Sequence, residues 1–391
     1  MDLRAIRERL RTSTLFSAFT MFVVWRLALF AFDEAGLHLI TKVGTCRPQW
    51  EVFGPHHDFW NGFFRWDAAW YRNVALNGYY TYRPDQPSSV AFYPMFPHLA
   101  RYLGPLFGSL YAAGLVVSNA ATIGAIYYVK KLGALLFPDE SSEGTSDRAA
   151  TYILVFPTSF FLSAFYTEGL YFFWSAASMY FFLRERYVTS GVLGAFAMLT
   201  RSSGLVLFLA LALDLGLRLG RKKTRFHWRM LGLFLIPAGL VVFMLILKSE
   251  TGDPFAFMKT IRFWGREQVW PWTPVIAALK KFGPGLPDRT DDAQEVLDAF
   301  TAIVFFVIGL WMAKERMPVA LWALVIGGVL LPLSTGTVSA MGRYTLVLFP
   351  AFLWLGKETR DRPSLDRFIV YGSAFFLAIY SLRFMRCAWA G

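Results

Sequence analysis

Charge and cysteine are both scarce in this chain. Of its 391 residues, 17% are charged, where a soluble globular chain carries about 25%. The thinning is uneven: many stretches of about 15 to 20 residues carry no charge, the length a helix needs to cross a bilayer. The two cysteines, Cys46 and Cys387, exclude a disulfide-rich framework and supply no metal-ligand spacing. No phosphate-cradling glycine loop of the nucleotide-binding type occurs. His56-His57-Asp58 is a histidine cluster, but adjacent histidines diverge in most backbones and no third ligand motif accompanies them. No metal site is assigned and no cofactor is expected. What the chain has instead is apolar and aromatic: 55% hydrophobic residues, and 18% Phe, Trp and Tyr.

The formal charge of +12 raises the question of a nucleic-acid partner. Its distribution answers no. Lys and Arg sit in short clusters between apolar runs, as in cytoplasmic loops under the positive-inside rule, so the expected surroundings are membrane lipids. Arg4, Arg7, Arg9 and Arg11 precede an apolar run over about 14–32, and Phe32-Asp33-Glu34 offers no small-residue cleavage site. This reads as an uncleaved anchor with the N-terminus inside. Further spans are expected near 110–129, 149–163, 170–183, 188–200, 203–219, 230–247, 299–313, 317–333, 344–356 and 368–386. Residues 90–107 contain Pro94, Pro97, Pro105 and Arg101 and are expected to lie at the membrane surface. The reading is an all-α polytopic membrane protein, one domain over 1–391 with about 11 transmembrane helices. Two long extracytoplasmic loops, 33–109 and 248–298, carry interfacial helices. In the second, Trp264, Trp270 and Trp272 alternate with Lys259, Arg262 and Arg266.

That topology leaves Asp58, Arg65, Asp67, His98, Glu168, Arg201 and Arg343 on the outer side, at the mouths of different helices. Ionisable groups at membrane depth are functional candidates. Each also has a plainer explanation. Arg201 and Arg343 can snorkel, Glu168 can cap a helix, and His98 can be an interfacial side chain. Asp67 can complement the dipole of a short helix expected over about 66–76 and stopped by Asn77-Gly78. Gathered in one cleft, they offer a carboxylate base beside cations able to hold a phosphate, which suits a lipid-phosphate substrate from the outer leaflet. Asp214 and Arg218, four apart, can pair near the inner end. Cys46 and Cys387 both fall on the outer side, which permits one disulfide.

Six stretches, in order, carry a resemblance. They are Arg65-Trp66-Asp67-Ala68 ending in Asn77-Gly78-Tyr79, Ala91-Phe92-Tyr93-Pro94 through Pro97, and Pro157-Thr158-Ser159-Phe160-Phe161 through Glu168. Leu199-Thr200-Arg201-Ser202-Ser203-Gly204-Leu205, Gly252-Asp253-Pro254-Phe255-Ala256-Phe257 and Gly342-Arg343-Tyr344 continue it. Over about 15–360 the chain resembles the GPI mannosyltransferase II (PIG-V) family of the glycosyltransferase C superfamily, in the form of a short prokaryotic member.

The resemblance implies an inverting transfer of mannose from a polyprenyl-phosphate-mannose donor to a lipid or glycan acceptor on the non-cytoplasmic face. That face is the outside of a prokaryotic plasma membrane, or the ER lumen in a eukaryote. It implies a catalytic aspartate in the first outer loop, the position Asp67 holds. Superfamily members often carry a second acidic residue beside it. Here Ala68 and Ala69 follow, which leaves Asp58 or Glu168 for that part. In the expected mechanism Asp67 takes the proton of the acceptor hydroxyl, while Arg201, Arg343 and second-loop cations meet the departing phosphate. Trp66, Trp70 and Tyr71 line the sugar, and Arg65, His98 and Glu168 complete the substrate site. A lipid-linked sugar flippase or transporter, or a non-catalytic partner subunit, would use similar features. No internal repeat of the transporter kind is visible.

Overall fold

The computed structural model describes residues 13–39, 46–54, 56–138, 142–281 and 290–390. The basic cluster Arg4 to Arg11 lies outside the described residues, as do 40–45 and 55 of the first long loop and 282–289 of the second. Among the described residues there is no strand.

The chain begins with α1 (Thr14–Leu39), then two short helices, α2 (Asp58–Gly62) and α3 (Ala68–Asn77). After α4 (Met95–Phe107) come α5 (Leu110–Leu136), α6 (Ser142–Val155), α7 (Glu168–Leu183), α8 (Tyr187–Thr200) and α9 (Gly204–Gly220). Then follow α10 (Leu235–Thr251), α11 (Ala256–Thr260), α12 (Trp272–Lys280), α13 (Thr290–Lys314) and α14 (Val319–Leu333). The last are α15 (Met341–Leu346), α16 (Phe349–Glu358) and α17 (Pro363–Met385).

Among the described residues, five helices are long and apolar enough to cross a membrane: α1, α5, Trp228–Thr251, Asp292–Lys314 and α17. In α1 the stripe Ala18, Phe22, Trp25 and Leu29 is buried, while Leu15, Phe19, Val24 and Leu27 stay exposed. Spacings of three and four put the first set on one helical face, and the outward Leu and Phe face lipid rather than water. The protein is integral to a membrane. Its interior is arranged around α7, which packs on α5 and α8; α5 in turn packs on α1 and α4, and α17 on α1.

Two expected spans are broken. Residues 149–163 do not form one helix: α6 stops at Val155, just before Pro157, and a 3-10 turn covers Ser159–Leu162. Proline removes an amide donor and clashes with the preceding turn, so an apolar run through it reads as continuous but does not fold so. Residues 344–356 likewise divide between α15 and α16, with Pro350 in the first turn of the second. Both breaks matter, because Tyr166, Glu168 and Arg343 lie on or beside the interrupted segments. The Asp214–Arg218 pair forms as the spacing requires. Asp214 also accepts the Ala320 amide at 2.9 Å, which ties α9 to the start of α14.

Helix contacts rely on small residues. A Cβ at Gly191 would stand 1.8 Å from the Gly232 carbonyl oxygen, so α8 approaches the 3-10 turn Trp228–Phe234 backbone to backbone. Gly78 ends α3 at φ 60°, ψ −145°, a region that is close to glycine-only. Its successor Tyr79 donates its amide to Glu250 at 2.6 Å. Gly78→Ala is expected to cost about 1–3 kcal/mol, read as a lowered thermal midpoint of the purified protein in detergent.

Candidate functional site

The Asp67 loop is held from behind by the segment after the α6 break. Tyr166, fully buried, accepts the Asp67 amide at 3.1 Å and donates its hydroxyl to the Arg65 carbonyl at 2.8 Å. The Phe165 amide donates to the Phe63 carbonyl at 3.0 Å. Between these clamps Trp66 takes φ 54°, a left-handed conformation costing a non-glycine residue about 1–2 kcal/mol. The turn delivers Asp67 to the N-terminus of α3.

There Asp67 makes no side-chain cap. Its Oδ2 instead accepts Arg343 Nη1 at 2.8 Å. The side chain is 25% exposed, and Oδ1 accepts nothing from the described residues. Arg343 is itself rigidly placed. Ala340 enters α15 at φ 66°; the Gly342 amide donates to Asp298 at 3.0 Å, and Thr158 donates its hydroxyl to the Gly342 carbonyl at 2.9 Å. The guanidinium lies over the rings of Phe161 and Tyr166, at 4.6 and 4.9 Å.

Glu168 is fully buried at the start of α7 and caps nothing. Its Oε1 accepts Arg343 Nε at 2.8 Å and Arg201 Nη1 at 2.6 Å. Arg201 and Arg343 therefore turn inward and do not snorkel. Thr167 completes the cluster, within 3.2 Å of Arg201 Nη1 and 3.1 Å of the Tyr71 hydroxyl. Burial alone would push the Glu168 carboxyl up; Arg343 and Arg201 outweigh it and hold it below the usual carboxylate range. Burial also opposes the charge on Arg343, and Glu168 and Asp67 overcome it, leaving that guanidinium well above its ordinary value.

A pH dependence follows. The folded-state value of Glu168 lies below the ordinary 4.5, so the stability it contributes is fully present above that value. It is lost as pH falls through the lowered folded value. Thermal midpoints measured between about pH 7 and about pH 3 should stay level at the neutral end and drop at the acid end. Glu168→Gln should flatten the acid limb.

Over this cluster opens a cavity of about 510 Å³, within the range of small-molecule sites. Asp67, Tyr71, Arg201 and Arg343 line it together with Trp66, Trp264, Tyr344 and Trp389. Arg266 also lines it, donating to the Thr335 hydroxyl at 2.6 Å with Nη2 3.5 Å from the Tyr344 hydroxyl. No carboxylate pairs with Arg266 among the described residues. Three arginines against two carboxylates leave the site one positive charge in excess, which favours an anionic ligand.

The expected set is divided by the structure. Asp67, Tyr71, Glu168, Arg201 and Arg343 come together, with Trp66 on the cavity wall. Arg65 does not join them: it is 1% exposed, behind the loop, 3.9 Å from Asp58, which is also 3.7 Å from Arg386. A buried cation beside Asp67 in sequence points the other way because the left-handed Trp66 lies between them. His98 bonds the Pro94 carbonyl of its own turn at 2.7 Å and does not line the cavity. Trp70 stacks on Phe92 instead of lining it, with centroids 5.8 Å apart. Among the described residues no group of three or more His, Cys, Asp or Glu gathers as a metal site would need. Cys46 and Cys387 form a disulfide, Cα atoms 5.2 Å apart. The clamping Tyr166 and the wall Tyr344 fall within two of the resembling stretches without a role assigned to them there, and the wall Trp389 falls in none.

A family model described as mannosyltransferase (PIG-V) matches residues 12–215. Those residues hold Asp67, Tyr166, Glu168 and Arg201. No curated protein sequence matches. Among solved structures, ArnT from Cupriavidus metallidurans bound to undecaprenyl phosphate is similar in fold. It has a TM-score of 0.54 at 13% identity, over 92% of this chain and 69% of that one. The oligosaccharyltransferase of Archaeoglobus fulgidus in the apo form aligns with a TM-score of 0.46 at 14% identity, over 96% of this chain and 56% of that one. The chain thus spans little more than half the length of that transferase.

Proposed function

The chain belongs to the mannosyltransferase (PIG-V) family, and on that premise we propose that it moves mannose from a polyprenyl-phosphate-mannose donor to a lipid or glycan acceptor. The single observation carrying this reading is the largely buried chain Asp67–Arg343–Glu168–Arg201 at the base of a net positive cavity. Arg343 orients the Asp67 carboxylate through Oδ2 and leaves Oδ1 to the acceptor. As the acceptor oxygen attacks the anomeric carbon, its proton passes to Asp67. The bond from that carbon to the phosphate oxygen breaks, and the prenyl phosphate departs with the electron pair on the opposite face. The leaving group needs cations more than an acid. Arg266, without a carboxylate partner among the described residues, supplies one, and Arg201 and Arg343 supplement it. Trp66 and Tyr71 bound the sugar.

We place the reaction on the non-cytoplasmic face, the outer face of a prokaryotic plasma membrane. The Cys46–Cys387 disulfide supports this, since such bonds form and persist in oxidising compartments. Purified protein incubated with a synthetic prenyl-phosphate-mannose and a lipid extract should release prenyl phosphate as mannose enters the lipid fraction. Passage of intact donor across proteoliposomes without cleavage would make it a transporter instead.

A further inference from the structure

We infer that Trp389 is a substrate-binding residue of this cavity, and that the Cys46–Cys387 disulfide holds it in place. The inference rests on the transferase reading for the identity of the ligand, and on the following geometry for the rest. Trp389 lines the cavity with Trp66, Asp67 and Arg343. Its ring meets the Trp66 ring edge-on with centroids 5.2 Å apart, and lies 5.9 Å from the Arg343 guanidinium carbon.

The backbone reaches that position by a specific turn. After α17 the Cys387 amide donates to the Phe384 carbonyl at 3.1 Å and the Ala388 amide to the Arg383 carbonyl at 2.8 Å. Cys387 takes φ 65°. This is the helix-ending motif in which glycine is the usual left-handed residue. Cysteine stands there and bonds to Cys46. Arg383 donates to the Trp389 carbonyl at 3.2 Å, and Arg386 donates to the Leu37 carbonyl.

Both arms of the disulfide converge on the residue before Asp67. Four residues after Cys46, Trp50 packs on Trp66 with centroids 4.8 Å apart; two residues after Cys387, Trp389 packs on it as well. Trp66 is the strained residue that turns Asp67 toward Arg343. A bond joining positions 341 residues apart thus closes one side of the cavity with aromatic surface. Trp389 presents its ring to the sugar beside Asp67, a contact that orients the donor and carries no proton.

The test measures the KM for a synthetic short-chain prenyl-phosphate-mannose, and its equilibrium binding without acceptor, in detergent-purified full-length protein. The proteins are the wild type, Trp389→Ala, Trp389→Phe and the double variant Cys46→Ser/Cys387→Ser, each with and without dithiothreitol. The dithiol gives two electrons and two protons to the protein disulfide and closes to its own cyclic disulfide. Trp389→Ala should raise KM and the dissociation constant about three- to tenfold while kcat changes less, and Trp389→Phe should recover most of the loss. Reducing the wild type should produce the same weakening, and should add nothing in Trp389→Ala or in the double variant. Effects of reduction and of Trp389→Ala that multiply would overturn the inference, as would donor binding unchanged by either. Transfer that proceeds with unchanged KM and binding defeats this inference alone. Binding that weakens as expected, with no transfer by any protein, defeats the transferase reading alone. Wild-type reduction supplies the result if Trp389→Ala does not purify.

Discussion

Asp67→Asn is expected to lower kcat for mannose transfer by about 10²–10⁴-fold, the usual contribution of a positioned general base. The donor KM should change far less. Asparagine keeps the shape of the side chain and an oxygen for Arg343, and Arg343 keeps its stronger pairing with Glu168, at 2.7 and 2.8 Å. The variant should therefore insert, purify and retain its thermal midpoint within a few degrees. The comparison that decides is kcat at saturating donor for wild type and variant purified side by side. An Asn variant within tenfold of wild type would remove Asp67 from the reaction and leave it as a loop-positioning residue.

Glu168→Gln should act the other way round, on the fold before the chemistry. One carboxylate compensates two arginines, and all three side chains are at most 12% exposed. Breaking a buried pair by removing one partner costs about 3–5 kcal/mol, because it leaves an uncompensated charge. Here Arg343 retains Asp67, whereas Arg201 is left without a carboxylate. The expected result is a fall in thermal midpoint larger than that of any substitution proposed above, with activity lost alongside. Circular dichroism melts in detergent would measure it. Glu168→Asp, which keeps the charge but retracts it, should fall between. A Glu168→Gln protein as stable as wild type would mean that the cluster tolerates its charge excess without Glu168.

How much of this was legible in the sequence follows from the physics of each element. Uncharged runs mark helices in lipid because every backbone polar group must be satisfied within the segment, and five helices among the described residues are long and apolar enough to cross. The runs do not reveal where a proline interrupts them: the run 149–163 breaks before Pro157, and 344–356 breaks with Pro350 in the first turn of its second helix. At the site, the cluster of Asp67, Glu168, Arg201 and Arg343 was foreshadowed by charge where charge is expensive. Spacing alone could not say which cations face each other. A single left-handed residue, Trp66, sends Arg65 to one side of the loop and Asp67 to the other. His98 lies outside the cluster, its Nδ1 held by the Pro94 carbonyl of its own turn, a local bond with no long-range sequence signature. Trp389 lay beyond reach for a different reason. An apolar aromatic near the end of a spanning helix is ordinary in a membrane protein, and only the disulfide-braced turn gives it a place in the cavity.

We propose that a lipid-phosphate-linked mannose reacts at the Asp67–Arg343 site with inversion. It is tested most directly by the fate of a synthetic prenyl-phosphate-mannose labelled in the sugar. Labelled mannose is expected in an acceptor with the anomeric configuration opposite to that of the donor, with one prenyl monophosphate released per sugar transferred. Retention of configuration, or transfer from a nucleotide-linked mannose while the prenyl-linked donor stays intact, would contradict it.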